Sequence, residues 1–218
     1  MPSLEDHIIE ESLAFARKKM KGLHSSHGWD HVERVITLAE NLCASEPSAD
    51  TFIVRTSAIL HDIAREQEDS ENGALCHARE GSSLAREFLT GLGLDINRTE
   101  HISDCIRTHR FRNSEKPATI EARILYDADK LDSIGATGIG RAFLFSGEIG
   151  ARLHNPDNNV EGTGAYTSED TAYREYMVKL RNVRERMLTR RGRELAEERH
   201  SFMEIFFTRL KREISGEL

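Results

Sequence analysis

Apolar residues recur along this chain at spacings of three and four, which lays one side of a helix against a core. In GWDHVERVITLAENLCA the positions Val32, Val35, Ile36, Ala39, Leu42 and Cys43 follow that period. The run from Pro47 through TFIVRTSAILHDIA is apolar on most sides and predicts a buried central helix. GSSLAREFLTGLGL reads as a helix closing at Gly91 or Gly93, and INRTEHISDCIRTH and ATIEARILYDADKLDSI read as two more. From Ser168 to Ile214 the chain is highly charged. It carries two apolar stripes, Leu180, Val183 and Met187, then Phe202, Ile205, Phe206 and Leu210. They predict two helices parted near Arg191 and Gly192. No segment alternates with period two, and no repeat is present. Pro2, Pro47, Pro117 and Pro156 stand where the pattern pauses. Residues 146–168 are rich in Gly, Asn and Ser and form a stretch too long for a tight turn. The expected fold is all-α: one domain over 1–218, with a helical body at 24–150, that long loop, and a C-terminal helical pair at 168–214.

Composition narrows the class. The 218 residues include 38% hydrophobic and 31% charged positions, enough apolar surface for a core and in keeping with amphipathic helices. No uninterrupted apolar run approaches the ~18 residues of a membrane span. The start, MPSLEDHIIEESLAFARKK, is acidic early and lacks the basic and apolar regions of a signal peptide. Cys43, Cys76 and Cys105 are odd in number and widely spaced, which argues against a disulfide framework and for a reducing cytoplasm. The net charge of -7 disfavours a partner bound through a long phosphate backbone, but not a small phosphorylated one. Ten histidines are an excess that needs placing.

The chemistry gathers on three apolar faces. His61-Asp62 ends the apolar helix, and Asp62 has no opposite charge nearby in sequence before Arg65. His31 shares a stripe with Val35, Leu38 and Leu42, and Asp129 follows Ala122 and Leu125 on another. A single inward histidine is more often a hydrogen-bonded core residue than a ligand, and an HD dipeptide alone is weak. Three inward faces carrying His, His-Asp and Asp are much harder to reach by accident. Mixed nitrogen and oxygen donors of this kind suit a divalent transition metal.

These residues resemble the HD-domain metal-dependent phosphohydrolases. The matching strings are HGWDHVERV with His31, AILHDIA with His61-Asp62, and ILYDADKLDSIGATGIGR with Asp129. The last is the most specific, and resembles a bacterial and archaeal subfamily with a DADrLDAiGAiGIaR-like stretch. The tail KLRNVRERMLTRRGRELAEERHSFMEIFFTRL is similar to that subfamily's, so the likeness runs from His24 to Leu210. The resemblance implies an HD-type helical bundle with His31, His61, Asp62 and Asp129 as metal ligands. It also implies hydrolysis of a phosphate ester or anhydride, as in nucleoside triphosphate pyrophosphohydrolases. The cofactor expected is one divalent ion among Mn, Fe, Ni, Co, Zn and Mg, with a second left open.

Around those ligands other residues are candidates. Glu66, four positions after Asp62, is a candidate base for the attacking water, or a solvated partner of Arg65 or Lys130. Relatives often carry an acid three positions after the doublet, where this chain has Arg65. Lys130 is a candidate catalytic and substrate-binding cation, or a partner of Asp127 or Asp132. Arg34 is a candidate for substrate phosphate, or a second layer behind a ligand. His109 is assigned to substrate binding; if His77 and His109 both point inward, a second ion bridged by Asp62 becomes available. His27 stands as a pocket-edge or helix-start residue. GATGIG, at 135–140, follows no strand, so close packing is a better use for it than cradling phosphate.

The partner expected is a small phosphorylated molecule of the nucleotide class, with no membrane and no long nucleic acid; assembly into a homo-oligomer is left open. Two rival readings are a di-iron oxygenase on the same scaffold, and a regulatory nucleotide-binding module without turnover.

Overall fold

The computed structural model describes residues 3–23, 28–70, 75–110, 115–155, 160 and 162–218. Among them every regular element is helical, and no helix is long and apolar enough to cross a membrane. The chain divides into two compact units, Met1–Asp129 and Lys130–Leu218.

The first unit contains α1 (Leu4–Lys19), α2 (Trp29–Cys43), α3 (Thr51–Leu60), α4 (Arg65–Ser70), α5 (His77–Gly91) and α6 (Ile96–Thr108). It also holds most of α7 (Ile120–Asp132). Its starts are capped as short polar side chains before apolar runs dictate. Ser3 and Asp6 close a reciprocal capping box on α1. Asp50 accepts from the amides of Phe52 and Ile53 at 2.9 and 3.2 Å, and Asp95 from those of Asn97 and Arg98 at 2.9 and 3.3 Å. The predicted central helix is α3. Phe52, Ile53, Val54, Ala58, Ile59 and Leu60 are all buried there, and α1, α2 and α6 pack against it. Each of these side chains larger than Ala58 contributes roughly 1.5–3 kcal/mol when withdrawn from water. α5 lies along α6, closing at Gly91 with Gly93 left-handed at φ 78° just beyond.

In the second unit α8 (Gly135–Glu148), α9 (Ala172–Val178) and α10 (Arg190–Ile214) follow, with 3-10 turns at Leu180–Asn182 and Arg184–Arg186. α10 and α9 both pack on α8. Gly138 explains part of the glycine run: a Cβ there would stand 2.2 Å from the Ser133 carbonyl oxygen. The expected break near Arg191 and Gly192 is corrected. Thr189 accepts from the Gly192 amide at 2.9 Å, so both residues lie in the first turn of α10. The break falls earlier, in the two 3-10 turns. Part of the Gly- and Asn-rich stretch is held by Arg174, which pairs with Asp170 at 2.7 Å and donates to the Thr163 carbonyl at 3.0 Å.

Candidate metal centre

The centre is built where helix ends meet. His61 caps the C-terminus of α3, with Asp62 next to it, and His109 caps the C-terminus of α6. His77 is the first residue of α5, His31 lies in the first turn of α2, and Asp129 lies near the end of α7. His31, His61, Asp62, His77 and His109 are buried and Asp129 is half-buried.

Donor atoms fall into two groups, His31 with His61 and Asp129, and Asp62 with His77 and His109. In the first, Nε2 of His31 stands 3.3 Å from Nε2 of His61 and 3.6 Å from Oδ1 of Asp129. In the second, Nε2 of His77 is 3.3 Å from Nε2 of His109 and 3.0 Å from Oδ1 of Asp62. His109 Nε2 is 3.8 Å from that same oxygen. The Asp62 carboxylate joins the two, because its Oδ2 faces His31 and His61 at 3.7 and 3.6 Å. Donors held about 2.0–2.2 Å from one ion stand roughly 3 Å or a little more apart, so this spacing suits shared ions.

Tautomers support the fit. A carbonyl oxygen only accepts, so Nδ1 of His61 donates to Ala58 at 2.8 Å and Nδ1 of His109 donates to Ile106 at 2.6 Å. Their Nε2 lone pairs are then aimed into the centre. Nδ1 of His77 is hydrogen-bonded to the Glu68 carboxylate, which turns its Nε2 the same way. Three acceptors, two imidazole lone pairs and a carboxylate oxygen, thus converge in a buried space, an arrangement that calls for a cation.

Electrostatics agree. Burial pushes Asp62 up, but the His61, His77 and His31 imidazoles outweigh it and hold the carboxyl well below the usual range. Burial lowers His77, yet Asp62 and Glu68 prevail and raise it. His109 is pushed down to about 3, by burial first and then by His61 and His77. Burial likewise lowers His61.

The structure thus brings together His31, His61, Asp62 and Asp129, and adds His77. His109, assigned from sequence to substrate, lies instead in the donor group. Glu66 is corrected in placement. α3 ends at Leu60 and residues 61–64 are a turn, so the one-turn register from Asp62 does not exist and Glu66 is exposed. Glu68 is the acid that reaches the site. It is buried against His77 and held by Arg110 Nη1 at 2.5 Å, with Arg65 at 3.8 Å. Burial acts to raise Glu68, but His77 and Arg110 outweigh it and lower the carboxyl to about 2. Sequence periodicity missed Glu68 and Arg110; the one signal was a second acid two residues beyond Glu66. Arg34 is half-buried and paired with Asp30 at 2.6 Å, and Lys130 is half-buried directly after Asp129. His27 lies outside the described residues.

The HD-domain family profile matches residues 28–134, a span that holds all six donors. The chain is 35% identical over 196 residues to the uncharacterized protein YpgQ of Bacillus subtilis, covering 88% of this chain and 86% of that one. The chain belongs to the HD-domain family. Its HD fold is similar to the crystal structure of Bacillus subtilis YpgQ in complex with ADP. There the TM-score is 0.75 and the identity 30%, with 97% of each chain covered. An HD-superfamily hydrolase from Bacillus thuringiensis is similar at TM-score 0.74 and 25% identity, covering 97% of this chain and 98% of the other.

Proposed function

We propose that this HD protein is a metal-dependent phosphohydrolase, cleaving a phosphate ester or anhydride of a small nucleotide-like substrate. The observation that carries the reading is the pair of buried donor groups joined by the two oxygens of Asp62. The nucleotide class is supported by the relative YpgQ, crystallised with ADP, and hydrolysis by the HD-superfamily hydrolase of similar fold. His31, His61, Asp62 and Asp129 would hold one divalent ion of the Mn, Fe, Ni, Co, Zn or Mg kind. His77 and His109, with the other Asp62 oxygen, would hold a second. A divalent ion there supplies Lewis-acid charge on phosphorus and lowers the pKa of water.

The chain's own groups prepare that chemistry. Ala58 and Ile106 carbonyls fix two imidazoles with Nε2 inward, so no ring need reorient on binding. Burial of the donors excludes bulk water and strengthens every charge interaction at the centre. Lys130 and Arg34 are the cations assigned to substrate phosphate, Lys130 also to the charge that develops during cleavage. Glu66, exposed, is not the base in this reading. Release of pyrophosphate from a nucleoside triphosphate is the finer assignment, resting on the resemblance of the DADKLDSIGATGIGR string. The free cysteines, two of them buried, support a reducing compartment, the cytoplasm.

The double variant His61→Ala, Asp62→Ala tests the reading, with phosphate and pyrophosphate release from nucleoside di- and triphosphates as the assay. Turnover falls below detection; normal turnover contradicts the proposal. The two-group centre is also what a di-iron oxygenase would need. Anaerobic assay separates the two, since hydrolysis proceeds without dioxygen and oxygenation stops.

A further inference from the structure

Three histidines of the centre are locked by two different devices. His61 and His109 are held through Nδ1 by backbone carbonyls, which no side-chain substitution removes. His77 is held through Nδ1 by a side chain, the Glu68 carboxylate. Glu68 in turn lies on α4, a helix of six residues, and its other oxygen is bound by Arg110 Nη1 at 2.5 Å. Arg110 follows His109 directly, so the clamp ties α4, the start of α5 and the end of α6 into one hydrogen-bonded chain. Arg110 Nη1 also lies 3.2 Å from Nδ1 of His77. Without Glu68, that guanidinium would face the imidazole alone. Arg110 would then favour a bare Nδ1, which puts the ring proton on Nε2 and closes the donor to a cation.

We infer that Glu68, clamped by Arg110, is the positioning residue that decides whether the Asp62–His77–His109 group takes up a second divalent ion. This rests on the metal-centre reading above. Glu68 is not among the grouped donors; it acts through the His77 tautomer. In the His31–His61–Asp129 group the His61 lock is a backbone carbonyl, which loss of Glu68 leaves in place.

The test is Mn2+ titration of chelator-treated full-length protein, read by native mass spectrometry for ions bound per chain. Wild type takes two ions. Glu68→Ala keeps the first with unchanged affinity, which also shows that the fold is intact, and binds the second about 10–100-fold more weakly. Glu68→Gln, whose amide oxygen still accepts from Nδ1, restores part of that loss, and Arg110→Ala shows a smaller defect than Glu68→Ala. Equal second-ion affinity in Glu68→Ala and wild type overturns the inference, as does a wild type that takes a single ion. A wild type that binds no ion contradicts the metal-centre reading itself, a result distinct from either.

Discussion

At the scale of single residues, the imidazoles of His61, His77 and His109 are each fixed from behind through Nδ1. Losing Asp62 removes the one carboxylate that faces both donor groups. Asp62→Asn keeps the size but halves the donor character and removes the charge. Turnover is expected to drop by more than about a hundredfold with the fold retained, checked by steady-state rates beside circular dichroism. Burial pushes the Cys105 thiol up to about 12. The unfolded thiol ionises near 9 while the folded one keeps its proton, so folding binds the extra proton between those values. Stability from this group is complete below pH 9 and falls as pH rises toward 12. Urea midpoints of wild type should decline over pH 9–10.5 more steeply than those of Cys105→Ala. His31, His61, Asp62 and Asp129 were legible as candidates because a charged or imidazole group on an apolar stripe is conspicuous. Glu68 was not. Its role depends on the turn at residues 61–64, and helical periodicity extended through that turn points to Glu66 instead.

At the scale of elements, α8 and α10 carry the sharpest tests. Gly138 sits against the Ser133 backbone, where no side chain can yield, so Gly138→Ala is expected to destabilise by at least about 1–3 kcal/mol in urea unfolding. Gly140, on the same helix, meets nothing within 4 Å, and Gly140→Ala is expected to stabilise by about 0.5–1 kcal/mol through helix propensity. Thr189→Ala removes the α10 cap and should cost about 1 kcal/mol in the same experiment. The all-α class and α3 as a buried helix were readable from period and apolarity. The C-terminal break was misplaced because Gly192 looks like a stop. A glycine at the third helical position is tolerated once a threonine side chain satisfies its amide.

At the scale of the whole molecule, the charge of -7 and the centre are compatible. A bound ion and a few nearby cations would suffice for one small phosphate, while bulk acidity repels long polyanions. What sets the substrate is the shape of the space around the donors, which depends on long-range packing and leaves no period in the sequence. The HD-domain span, 28–134, contains every donor. The proposed hydrolysis depends on a divalent ion held by these donors. That dependence is tested most directly by phosphate and pyrophosphate release from nucleoside di- and triphosphates, measured after chelation and again after adding back Mn2+, Co2+, Ni2+ or Mg2+. Hydrolysis should vanish on chelation and return with at least one of these ions; turnover that persists in the chelated protein would contradict the account.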